Sequence, residues 1–122
     1  MSKKNVKVCS FKSVQSNVFR HALERAGLKR TAVCISAVEG LHILKSTGGV
    51  EARRNASGTA STPVASMGAL IKIGMAEFKR GLHRYELTPE GLAYYDILQA
   101  KGMVTLALEL RDKINAFEEA NP

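Results

Sequence analysis

The chain has 122 residues, 45% of them apolar, and carries a formal net charge of +7. That length suits one domain with a modest core. No apolar run approaches the roughly 20 residues a bilayer span needs, and no apolar segment follows the basic start MSKKNVKVCS as a secretory signal requires. The expected compartment is therefore the cytoplasm, where Cys9 and Cys34, two isolated thiols, read as reduced and partly buried. A disulfide between them, or across a dimer, is the alternative.

The placement of charge says more than its sum. Residues 1–30 hold eight cations (Lys3, Lys4, Lys7, Lys12, Arg20, Arg25, Lys29, Arg30) against Glu24 alone, whereas residues 31–122 hold ten of each sign. A basic stretch of this kind suits a polyanion such as nucleic acid. For residues 1–4 a solubilising tail is the plainer reading.

Residues 5–11, NVKVCSF, alternate loosely and read as a short strand. A helix over 14–26 follows, with Ser13 or Ser16 as its cap. Val14, Val18, Ala22 and Ala26 form one apolar row, and Phe19, Leu23 and Ala26 a second. Gly27 supplies the C-terminal stop. In TAVCISAVEGLHILKSTGG, the positions Val33, Ala37, Leu41 and Leu44 predict a helix ending at Gly48–Gly49. The longer helix capped by Thr31 is the expected start, with a Ser36–Glu39 capping box that leaves TAVCI extended as the alternative. VEARRNA predicts a short helix carrying Arg53 and Arg54, and SGTAS a turn. Thr62 as cap and Pro63 at the first helical position open a helix over 62–73, with Val64, Met67, Gly68 and Ile71 turned to the core.

MAEFK and RYELT then predict a β-hairpin over 75–88. Ala76, Phe78, Tyr85 and Leu87 share one side, and Arg80-Gly81-Leu82-His83 fill the turn. Thr88-Pro89-Glu90 opens the next helix, LAYYDILQAK, and Gly102 kinks or breaks its join to the last one. In that last helix Met103, Ala107, Leu110, Ile114 and Phe117 recur at fours and threes as a heptad seam, widened by Leu106.

A helix–turn–helix running straight into a hairpin resembles the winged helix–turn–helix fold of bacterial DNA-binding regulators, the MarR and PadR families above all. Gly74, the basic tip KRGLHR and the string YELTPEG over 85–91 carry the resemblance. The last is similar to the L-T-x-x-G that closes the wing and opens the following helix in those families. The likeness covers residues 36–101. It implies a mainly α fold with a small β-hairpin. A basic N-terminal extension with its helix (1–30), a winged helix-turn-helix domain (31–101) and a C-terminal dimerisation helix (102–122) make up the expected chain.

The physics of groove entry points the same way. The major groove admits one α-helix, and on 62–73 the side opposite the apolar row shows Ala65, Ser66, Ala69 and Lys72, preceded by Ser61 and Thr62. The amides of Thr62–Ala65 would sit at a positive dipole end facing phosphate. Arg53 and Arg54 would grip the flanking backbone. Lys79, Arg80, His83 and Arg84 would lie at the adjacent minor groove, where Arg is favoured. A small-residue face is also what tight helix packing looks like, and basic hairpin tips are common on solvated surfaces.

The seam residues Met103, Leu106, Ala107, Leu110, Ile114 and Phe117 are expected at a two-fold dimer interface matched to palindromic half-sites. Packing within the chain's own domain is the other use of such a seam. The expected function is a sequence-specific duplex-DNA-binding transcriptional regulator, a repressor type, acting as a homodimer. The rivals are a winged-helix protein–protein adaptor on an acidic partner and a phage- or plasmid-type accessory factor in replication or recombination.

Catalytic chemistry is not evident. His21, His42 and His83 are scattered. Glu39-x-x-His42 has the spacing of half a di-iron motif with no second copy, and no Gly-rich phosphate loop with its Lys occurs. No enzyme, metal or cofactor is expected. Tyr94, Tyr95, Met67 and Met75 read as core rather than as the pocket of a small-molecule effector.

Overall fold

A computed structural model of the chain describes residues 3–28, 34–54, 60–61 and 66–121; for Lys3–Ser10, Arg53, Arg54, Ala60 and Ser61 it describes the backbone path. The fold is mainly helical with a small antiparallel sheet. Its elements run α1 (Lys3–Arg25), α2 (Ile35–Thr47), β1 (Val50–Glu51), β2 (Arg53–Arg54), β3 (Ala60–Ser61), α3 (Met67–Lys72), β4 (Ala76–Lys79), β5 (Arg84–Leu87), α4 (Pro89–Ala100) and α5 (Met103–Ala120). No helix among the described residues is long and apolar enough to cross a membrane.

α1 begins well before the expected residue 14, and the segment read as a strand is helical. Loose alternation yields here to a tertiary contact. Phe11 stacks on Phe117 of α5 with ring centroids 4.2 Å apart, and Lys12 meets Glu118 at 2.7 Å. The face turned inward is Phe19, Ala22 and Leu23, while Val14 and Val18 stand 54% and 41% exposed. Of the two candidate rows the aromatic one is buried, because it removes more apolar area from water. Gly27 ends the helix in the left-handed region (φ 78°), with the Leu28 amide donating back to the Leu23 carbonyl at 2.9 Å.

α2 forms the centre of the core. Ile35, Ala37, Val38, Leu41 and Leu44 are buried, and α5, α4, α3 and β5 pack around it. Its start settles between the two expected caps: Cys34, extended and exposed, precedes the first turn. Thr31 and Val33 lie outside the described residues. Ser36 and Glu39 make no capping box, being engaged by α5 instead. Arg111 donates from Nη2 to Ser36 Oγ at 2.6 Å and holds Glu39 at 3.5 Å. One turn on, His42 Nδ1 lies 2.9 Å from the Tyr95 hydroxyl of α4. The Glu39-x-x-His42 pair is thus consumed in fastening three helices together.

The C-terminal seam faces inward, which corrects the expected role of its residues. Met103, Ala107, Leu110 and Ile114 are buried within one chain, Leu106 packs against the same core, and Phe117 is under Phe11. A heptad pattern requires only that a stripe be covered. Here α1, α2 and α4 cover it, so these side chains are spent inside the protomer.

The joint that carries the hairpin is built from the string LTPEG. Gly74, left-handed at φ 81°, ends α3 and the Met75 amide returns to the Leu70 carbonyl at 2.9 Å. Thr88 then works three ways: its hydroxyl donates to Gly74 O at 2.6 Å and accepts from the Gly91 amide at 3.0 Å, while its own amide donates to Met75 O at 3.1 Å. The first turn of α4 consequently runs against the Met75 backbone. A Cβ on Gly91 would collide with the Met75 carbonyl oxygen and stand 2.8 Å from its carbonyl carbon. The glycine and threonine of this string thus fix the angle at which the hairpin leaves the helical body.

Candidate nucleic-acid interface

The hairpin has the expected register, with Ala76 opposite Leu87, Phe78 opposite Tyr85 and Lys79 opposite Arg84. β1 adds a third strand on the far side of β5, pairing Val50 with Tyr85 and Glu51 with Arg84. Alternation puts Ala76, Phe78, Tyr85 and Leu87 on the inner side and Glu77, Lys79, Arg84 and Glu86 on the outer one. The turn is closed by the Leu82 amide on Lys79 O and the His83 amide on Arg80 O, both 3.2 Å, and His83 takes a left-handed backbone (φ 53°).

The outer cations have different company. Lys79 is paired with Glu77, whose hydrogen bond and charge raise the ammonium pKa above its ordinary value. Arg84 is turned back toward the body: Nη2 donates to Gly48 O at 3.3 Å and Nε lies 3.8 Å from Glu86. Gly49 permits this, since a Cβ there would stand 2.6 Å from Arg84 Nη2. Arg84 therefore braces β5 against the α2–β1 loop. Arg80 is exposed and has no carboxylate at ion-pair distance among the described residues. The His83 ring stands edge-on to Phe78, 5.6 Å between centroids, with Nε2 buried and unpaired.

Arg53 and Arg54 sit in a strand, not in the expected short helix. β1 runs toward the hairpin tip, where the Ala52 amide donates to His83 O at 3.0 Å. Arg53 follows directly, one Cα step of about 3.8 Å further, and β2 pairs with β3, Arg53 opposite Ser61 and Arg54 opposite Ala60. The edge-strand register with β5 overrides helix propensity here. The backbone of Arg53 and Arg54 thus lies beside the tip that bears Arg80 and His83.

The expected helix 62–73 is shorter: α3 spans Met67–Lys72. Ser66 has φ 67°, a left-handed conformation through which no right-handed helix can pass. Thr62 and Ala65 lie outside the described residues, as do Pro63 and Val64. The buried side is Met67 and Leu70, whereas Gly68 is exposed and Ile71 is 40% exposed, so the helix is rotated from the expected packing face. Ala69 and Lys72 face solvent as expected.

Sequence reasoning passed over the acids that share this outer face. The alternation E-x-K and R-x-E places Glu77 beside Lys79 and Glu86 beside Arg84, a signal present in the hairpin pattern itself. It also passed over Leu82, which stands at the apex 64% exposed. No family model, curated protein or solved structure matches this chain.

Proposed function

We propose that this protein binds duplex DNA through the β4–β5 tip with the adjoining β2–β3 strands, and through the outer side of α3, and that it regulates transcription in the manner of the winged helix–turn–helix proteins it resembles. The observation that carries the reading is the meeting, at one end of the sheet, of two chain segments distant in sequence: Arg53–Arg54 and the tip Arg80–His83, joined by the Ala52–His83 hydrogen bond. Cations gathered on one edge supply the sequence-independent part of DNA affinity. The small exposed residues of α3 (Gly68, Ala69) leave room for close approach to base edges, and Lys72 adds a charge there. α3 is about 9 Å long, enough to present one turn to a groove.

Fluorescence anisotropy with a labelled duplex of about 25 base pairs, at several salt concentrations, tests this. Binding weakens with salt, and Arg80→Ala lowers the log–log slope by about one unit, as expected for one lost phosphate contact. Arg84→Ala leaves the slope in place and instead lowers the thermal midpoint by a few degrees, about what a weak surface ion pair and one long guanidinium–carbonyl hydrogen bond supply. Salt-independent binding, or no binding at low salt, overturns the proposal. A slope loss in Arg84→Ala equal to that in Arg80→Ala overturns the division of roles.

A further inference from the structure

We infer that Leu82 is a wedge: on a bound duplex it enters a base step from the minor groove, unstacks it and bends the DNA. This rests on the duplex-binding reading above and adds to it what the tip does to its partner.

Three observations meet at this residue. Leu82 is the most exposed of the large apolar side chains among the described residues, at 64%. A flexible loop would fold such a side chain onto the nearest apolar surface, and this loop cannot. Its turn is closed by two hydrogen bonds, its last residue is fixed in the left-handed region, and the carbonyl of that residue is held by the Ala52 amide of a third strand. From below, the Phe78 ring braces His83 edge-on and packs against Tyr85 at 5.0 Å between centroids. The leucine is thus carried on a stiff support that points it outward. Finally, its neighbour Arg80 is exposed and has no carboxylate at ion-pair distance among the described residues.

An apolar tip on a rigid ribbon with a cation beside it is the combination that opens base steps. Arginine is drawn to the minor groove by its potential, and the leucine replaces part of the stacking that is lost. Glu77 and Glu86 stand further down the ribbon, opposite each other in register, and Glu51 of β1 lies opposite Arg84, so the apex Arg80–His83 itself carries no acid. Pyrimidine–purine steps, which unstack most readily, are the expected sites.

The test uses the full chain and a duplex of about 25 base pairs with a donor and an acceptor dye at its ends and one central TA step. Saturating parent protein raises energy transfer, reporting a bend. Leu82→Ala, at an exposed site and so without effect on folding, binds with an unchanged salt slope but leaves the transfer near that of free DNA. Leu82→Phe keeps the bend. A central mismatch, whose stacking is already weakened, improves parent binding by roughly tenfold, since about 1.4 kcal/mol of the unstacking is already met, and the advantage vanishes in Leu82→Ala. A parent that binds without bending, or an alanine variant that bends as the parent does, overturns the wedge and leaves DNA binding intact. A parent that fails to bind duplex at low salt overturns both, and an apolar contact to a protein partner becomes the use of Leu82.

Discussion

Replacing Gly91 by alanine inserts a methyl group where α4 passes the Met75 backbone. The obstacle is a carbonyl group, with its carbon 2.8 Å and the Met75 Cα 3.1 Å from the new atom. Neither can rotate away as a side-chain end would. Relief requires α4 to lift off, and the bonds that hold it down are the Thr88 amide on Met75 O and the Thr88 hydroxyl between Gly74 O and the Gly91 amide. Overpacking of this kind costs about 1–3 kcal/mol, and each strained hydrogen bond about 1 kcal/mol. Alanine's better helix propensity returns about 1 kcal/mol. The net is a loss of roughly 3–5 kcal/mol, which lowers the thermal midpoint of a domain this size by roughly 10 °C or more. Gly68 provides the control. It lies inside α3 with nothing within 4 Å of an added Cβ, so Gly68→Ala stabilises by about 0.5–1 kcal/mol. Melting curves by circular dichroism on the two variants and the parent decide the matter. A Gly91→Ala protein that melts at or above the parent refutes the steric account of the LTPEG joint.

Leu110→Ala, in the seam, lowers stability by about 2–5 kcal/mol as a buried cavity does, and it leaves the mass from light scattering unchanged. A change of mass at preserved stability would return the seam to an intermolecular role. Tyr95 supplies a pH dependence: burial first, and the Asp96 charge second, raise its phenol pKa above the ordinary 10.0. Between that value and the folded one, the unfolded chain has released a proton that the folded chain still holds. Stability tied to Tyr95 is therefore complete below pH 10 and declines as pH rises past it. Denaturant titrations should show Tyr95→Phe gaining on the parent across that limb, having been less stable by about 1 kcal/mol at neutral pH through loss of the His42 bond. A constant gap from pH 8 to 11 contradicts the assignment.

What was legible in the sequence lies within a few residues of its own cause. Gly27, Gly48, Gly74 and Gly102 all adopt positive φ at helix ends, because the missing Cβ admits the left-handed region there and the helical pattern stops beside them. Thr88-Pro89 starts α4 because a hydroxyl and a fixed φ act across a single turn. The hairpin register follows from strict alternation around a four-residue turn. Tertiary structure alone decided the rest. The start and buried face of α1 depend on Phe117 at the other end of the chain. The strand conformation at Arg53–Arg54 follows a chain already tied to His83 through Ala52. The seam of α5 is the clearest case: periodicity states that a stripe must leave water, but the free energy of burial is nearly the same whichever apolar surface covers it. Only the three-dimensional arrangement, with α1, α2 and α4 already in reach, selected a covering from within the same chain.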